Sequence, residues 1–141
     1  MEANLRPLWA IGLESDTAIS GVDVALIRTD GVDIFERKAE FSRPYSTTMR
    51  EAITAVLGEK GQQDLNYLRQ VEEQVTQHHI EAVQELLDTQ DLSPRQIDVI
   101  GFSGHTVLNR PAQKLSVQIG DAQMMLDAFG IPVVYRFIKQ T

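Results

Sequence analysis

The chain contains no cysteine. This excludes disulfides, a thiolate nucleophile and any cysteine-held metal, and it fits a reducing compartment. Long apolar runs are missing too. None approaches the ~18 residues that a membrane-spanning helix needs. The opening Met-Glu-Ala-Asn-Leu-Arg-Pro lacks the apolar core of a signal peptide. The expectation is therefore a cytoplasmic protein with no membrane partner. Basic excess is also lacking: 13 Lys and Arg stand against 20 Asp and Glu, for a net charge of −7. With no dense Lys/Arg run, nothing is available to neutralise a phosphate backbone, so no nucleic-acid partner is expected. Internal repeats, low-complexity tracts and interdomain linkers are absent as well.

What remains is ordinary globular material. Hydrophobic residues make up 43% and charged residues 23% of 141 positions, enough for one domain, residues 1–141, with a proper core. Residues 8–13 form a nearly unbroken apolar run that reads as a strand buried on both faces. Residues 22–29 are a second β-rich run and residues 32–41 a weaker third. Asp30-Gly31 between them predicts a hairpin with a type I′ turn. Pro44 and the Ser/Thr cluster at 46–48 end this antiparallel meander and cap a helix. Met49, Ala52, Ile53, Val56 and Leu57 share its apolar face. Residues 58–61, bounded by glycines, break it. A longer helix spans about 64–88, with Leu68, Val71, Val75, His79, Ala82 and Leu86 as its inner stripe and a solvated Gln- and Glu-rich outer face. Ser93-Pro94 reads as an N-cap and first helical position, ahead of a buried strand over 97–102. Residues 115–119 alternate like a strand. Asp121 caps a short helix closed by Gly130, and residues 131–135 supply a last strand. The order βββ, αα, β, (β), α, β predicts one α/β layer structure.

The stretch with most chemical content is the strand–loop–strand unit at residues 10–27. Its layout is that of a hairpin that cradles phosphate. Such a loop needs inward backbone N–H groups and small residues that let the anion approach. Here it carries Glu14 and Asp16, carboxylates where phosphate charge would sit.

Six segments together resemble the anhydro-N-acetylmuramic acid kinase family. They are Ala-Ile-Gly-Leu at 10–13, Gly-Val-Asp-Val-Ala-Leu-Ile-Arg-Thr-Asp-Gly at 21–31, Ile-Asp-Val-Ile-Gly-Phe at 97–102, Thr-Val-Leu-Asn-Arg-Pro at 106–111, Val-Gln-Ile-Gly-Asp at 117–121 and Gly-Ile-Pro-Val-Val-Tyr at 130–135. Each is weak alone; all six occur in the family's order and at about its spacing. The resemblance implies an α/β fold of the ribonuclease-H-like, actin–hexokinase type. It covers a single lobe, a three-stranded antiparallel meander plus parallel strands with helices. The family uses ATP and Mg²⁺ to phosphorylate anhydro-N-acetylmuramic acid in peptidoglycan recycling. By resemblance, Asp16, Thr17, Ser20, Gly21 and Asp23 stand at the ancestral phosphate loop. Gly104, His105, Thr106, Gln118 and Asp121 stand at the sugar side. No catalytic residue or metal ligand is carried over, because the family's catalytic base and adenosine pocket belong to its continuation.

The departures fall on functional positions. Where the family reads Met-Ser-Gly-Thr-Ser-x-Asp-Gly, this chain reads Glu-Ser-Asp-Thr-Ala-Ile-Ser-Gly at 14–21. Glycine has become Asp16, and the family's Asp, able to interact with Mg²⁺ or its water, has become Ser20. A carboxylate close to polyphosphate costs several kcal/mol at an effective dielectric of ~20 and ~4 Å separation. The expectation is that ATP and Mg²⁺, cofactors of the family, are not held here. The family's His-Gly-Gln-Thr is replaced by Ser-Gly-His-Thr at 103–106, moving the histidine by two positions. Residues i and i+2 of an extended segment share a face, so either His105 recovers part of that role or the site has drifted out of use. Arg136 stands where the family has Asp, and residues 137–141 do not resemble its glycine-rich continuation.

Blander readings stand beside these. The 14–21 loop also reads as a polar turn, 103–106 as a strand-end loop, Asp121 as a helix cap and Asp23 as a strand-end aspartate. Ser103 lacks a nucleophile-elbow pattern. The adjacent pair His78-His79 does not face one way on a helix. Trp9 reads as core. The functional expectation is a truncated, degenerate relative of the family, inactive by itself. The alternative is a non-catalytic interaction module that homodimerises or binds a partner, such as a polypeptide supplying the second lobe, through an exposed apolar cleft face. A gene remnant is a third reading.

Overall fold

A computed structural model describes residues 7–58, 60–113 and 115–135. The meander comes first: β1 (Leu8–Ser15), β2 (Gly21–Thr29) and β3 (Ile34–Pro44). β1 pairs antiparallel with β2, and β2 with β3. β4 (Val99–Phe102) adds to β1 in parallel, and β7 (Val133–Tyr135) adds to β4 in parallel. The sheet order is β3-β2-β1-β4-β7. Helices α1 (Thr47–Ala55), α2 (Leu65–Thr89) and α3 (Ala122–Phe129) complete the main body. This is the single ribonuclease-H-like lobe that the resemblance implied.

Local chemistry explains the element ends. Ser46 caps α1 by accepting from the Met49 amide at 3.1 Å. Asp64 caps α2 through the Tyr67 amide at 3.0 Å. Ser93 and Gln96 form a reciprocal capping box on the short 3₁₀ turn Pro94–Gln96. Gly130 closes α3 with φ 69°, a conformation that costs glycine no Cβ clash.

α2 packs on β2 and touches both α1 and α3. Its buried face is Val71, Val75, Thr76, His79, Ala82, Val83, Leu86 and Leu87, the expected stripe widened by Thr76, Val83 and Leu87, with Leu68 only partly buried. Across from it, pairing places Ile11, Leu13, Val24, Leu26, Ile100 and Phe102 on one sheet face, all buried. Arg43 of β3 clamps α2 by ion pairs to Glu85 at 2.8 Å and Glu81 at 3.0 Å. No helix among the described residues is long and apolar enough to cross a membrane.

Four expectations need correction. β1 is not buried on both faces: Leu8 is 37% exposed, and Glu14 on the same face is exposed. The β2–β3 turn is not a two-residue type I′ turn. It is a four-residue loop, in which the Asp30 carboxylate accepts from the Val32 and Asp33 amides and Thr29 Oγ1 accepts from Gly31 N–H. The Asp33 and Val32 amides also hold the Asp30 carboxyl below its usual range, and Gly31 alone takes a positive φ there. Leu57 lies beyond the end of α1 and is exposed. The strand-end loop reading of 103–106 gives way to a strand from His105 on, over residues that had no expected element. They form β5 (His105–Arg110), which pairs antiparallel with β6 (Leu115–Ile119) in a separate two-stranded sheet.

Candidate functional site

β1, β4 and β7 are parallel, so their carboxyl ends lie at one edge of the sheet. β2 starts and β3 ends there as well, since Gly21 pairs with Pro44. In open α/β sheets this edge is where ligands bind. The two groups of residues singled out in the sequence meet here. Ser15, the last residue of β1, bonds His105 Nδ1 at 2.7 Å and Tyr45 Oη at 2.7 Å. The β1–β2 loop is thereby stitched to the β5–β6 hairpin and to the chain after β3.

His105 is 1% exposed. Burial pushes its imidazole below the ordinary range, opposed by the Asp16 carboxylate. It is therefore neutral at physiological pH and serves as a buried tie, with one ring nitrogen committed to Ser15. Tyr45 is likewise buried, and desolvation pushes its phenol up to about 12. Its ring lies 4.6 Å from that of His78, whose Nε2 is 3.3 Å from the Arg43 carbonyl. His79 instead sits in the core, edge-on to Phe102 at 5.0 Å. The adjacent histidines thus serve different partners.

The loop closes on itself. The Ser20 amide donates to Asp16 Oδ1 at 3.0 Å, and the Ser20 hydroxyl donates to Asp16 Oδ2. These two bonds, hydroxyl first, lower the Asp16 pKa, so the carboxylate stays charged. The Ile19 amide donates to the Asp16 carbonyl at 3.1 Å. Ile19 itself has φ 57°, unusual for a β-branched residue, with its side chain buried. Thr17 is exposed. A Cβ on Gly21 would lie 2.4 Å from the Arg43 carbonyl oxygen, so contact with β3 alone accounts for that glycine. Asp23 accepts from the Ser42 hydroxyl and lies directly opposite Glu14.

In the second group, Gly104 takes φ +73°, and a Cβ there would lie 2.2 Å from the Ile119 carbonyl oxygen. Thr106 and Gln118 are a cross-strand pair. Gln118 Nε2 donates to the Ser116 hydroxyl and lies 3.5 Å from Thr106 Oγ1. Asp121 caps α3 by accepting from the Met124 amide at 3.1 Å.

Sequence reasoning passed over the residues that hold this edge together. Glu72 accepts from the Gly120 amide at 3.0 Å, and Thr76 Oγ1 from the Asp121 amide at 2.9 Å. The Tyr135 hydroxyl donates to the Gly120 carbonyl at 2.6 Å. The i, i+4 spacing of Glu72 and Thr76, one turn apart along the inner face of α2, was the available signal. Arg136 and residues 137–141 lie outside the described residues.

Comparison with known proteins gives a consistent result. The family model described as anhydro-N-acetylmuramic acid kinase matches residues 8–140. A Brucella suis protein named anhydro-N-acetylmuramic acid kinase is 44% identical over 89% of this chain and 35% of its own length. A Rhodopseudomonas palustris protein of the same name is 44% identical over 92% of this chain and 37% of its own length. The chain thus spans about a third of the length of the curated relatives it matches.

Proposed function

The chain belongs to the anhydro-N-acetylmuramic acid kinase family, and we propose that it supplies one wall of that family's kinase site without turning over by itself. One observation carries this reading. The 14–21 and 103–106 segments, both altered from the family pattern, converge at the carboxyl edge of the sheet through the 2.7 Å Ser15–His105 bond. Phosphoryl transfer is mostly positioning of phosphates, metal and attacking hydroxyl. A single wall whose loop presents the Asp16 carboxylate supplies little of that positioning for Mg-ATP. Gln118 and Thr106, half-buried on one hairpin face, are the side chains best placed to meet a sugar hydroxyl.

The test is calorimetric titration with Mg-ATP and with the anhydro-sugar, together with an assay of sugar-dependent ADP release. The reading predicts no ADP release and no micromolar nucleotide binding. Sugar-dependent ADP release by this chain alone would contradict it.

A second reading is favoured by the sheet's exposed side. Leu8 and Val134, 37% and 49% exposed, lie on one face of the sheet. These side chains would seat another polypeptide, here a second copy or a second lobe, if they join into one apolar patch on association. Light scattering tests it: a stable dimer supports pairing of copies, and a monomer that also fails to bind a second-lobe polypeptide refutes the reading.

A further inference from the structure

We propose that Asp16 acts as a built-in anion, its carboxylate occupying the Ser20 amide and hydroxyl donors of the β1–β2 loop and so closing them to phosphate and polyphosphate ligands. The inference rests on the reading of this loop as a former phosphate cradle.

Three contacts carry it. The Ser20 amide and the Ser20 hydroxyl both end on the Asp16 carboxylate. The amide before them, Ile19 N–H, ends on the Asp16 carbonyl. Two successive backbone donors and one hydroxyl are therefore consumed by a single residue. The turn has the form that gathers such donors. A residue in the left-handed conformation after a turn brings successive N–H groups round to a common concavity suited to an anion. Ile19 holds that conformation at φ 57°, and its buried side chain anchors it. Such a backbone costs of order 1–3 kcal/mol and persists only where surrounding structure enforces it.

A carboxylate offers two oxygens to paired donors much as a phosphate does. Asp16 is tethered four residues from Ser20, so its effective concentration at the donors far exceeds that of a free ligand. An arriving phosphate meets donors already bonded and a like charge beside them. Asp16 and Ser20, the two positions at which the loop departs from the pattern it resembles, then form one unit. Neither substitution is an isolated lesion.

The test uses inorganic pyrophosphate as probe, followed through the Ile19 and Ser20 amide resonances of the folded protein. Asp16→Gly removes the internal anion; Asp16→Asn removes its charge with little change of shape and serves if the glycine variant does not fold. The expected result is saturable movement of both resonances in the variants, with affinity about tenfold or more above wild type. Variants that bind pyrophosphate no better than wild type would overturn the inference. That result leaves the one-wall reading standing, because the latter falls on sugar-dependent ADP release by the unmodified chain.

Discussion

Acidification should destabilise this protein in a way that can be traced to one side chain. His79 is fully buried on the inner face of α2. Its Nδ1 is 2.7 Å from the Val75 carbonyl oxygen. A carbonyl only accepts, so Nδ1 carries the proton and Nε2 is a lone pair. Nε2 is buried and without a partner among the described residues. Burial, the dominant cause, pushes the imidazole down to about 4. The unfolded chain titrates near the ordinary value of about 6.5. Between these values the unfolded state binds the proton and the folded state does not. The His79 contribution is therefore fully present above about pH 6.5 and is lost as pH falls towards about 4. At about 1.4 kcal/mol per pH unit, the loss over that window is about 3 kcal/mol.

His78 and His105 are depressed in the same direction, and they stay in both proteins when His79→Leu is compared with wild type. Leucine is close in volume and removes the unpartnered nitrogen. The Val75 carbonyl keeps its place in the helical hydrogen-bond ladder. Urea unfolding followed by circular dichroism, at constant ionic strength across the window, provides the measurement. The variant should lose about 3 kcal/mol less than wild type on acidification. Equal losses in the two proteins would refute the assignment of His79 as the buried, neutral group.

Gly104→Ala places a Cβ 2.2 Å from the Ile119 carbonyl oxygen at φ +73°. Thermal unfolding should show a loss of about 1–3 kcal/mol from backbone strain alone, and an unchanged midpoint would contradict the β5–β6 geometry. Asp121→Ala removes the α3 cap and should cost about 1 kcal/mol in the same assay, while Asp121→Asn, a good cap, should cost far less. Glu14 and Asp23 are like charges directly opposite on paired strands. Glu14→Gln should therefore raise stability by about 0.2–1 kcal/mol at low salt, with the gain shrinking as salt rises; a salt-independent loss would argue against that register.

The meander and the long helix were legible because their signals are local. Period-2 and period-3.6 patterns, the Ser/Thr cluster at 46–48 and Ser93 as caps, and Gly130 as a stop all act within a few residues. β5 was not, because its pairing with β6 depends on partners across the Pro111–Gln113 turn and its own six residues carry few apolar side chains. The Asp30 loop misled for a related reason. Asp-Gly favours a type I′ turn, but the Asp30 and Thr29 side chains satisfy the loop amides and stabilise a longer connection. At the site, the sequence displayed the acid Asp16 in the β1–β2 loop. That its partner is Ser20 became visible only with the loop's path. The inward turn of His105 depends on Ser15, ninety positions away, and no sequence period reports such a contact.

A crystal of the unmodified protein soaked with magnesium and a non-hydrolysable ATP analogue tests the central claim most directly. The account predicts Asp16 still bonded to Ser20 and no triphosphate density against the amides of residues 17–20. Triphosphate nested on those amides, with the Asp16 side chain in its present place, would contradict it.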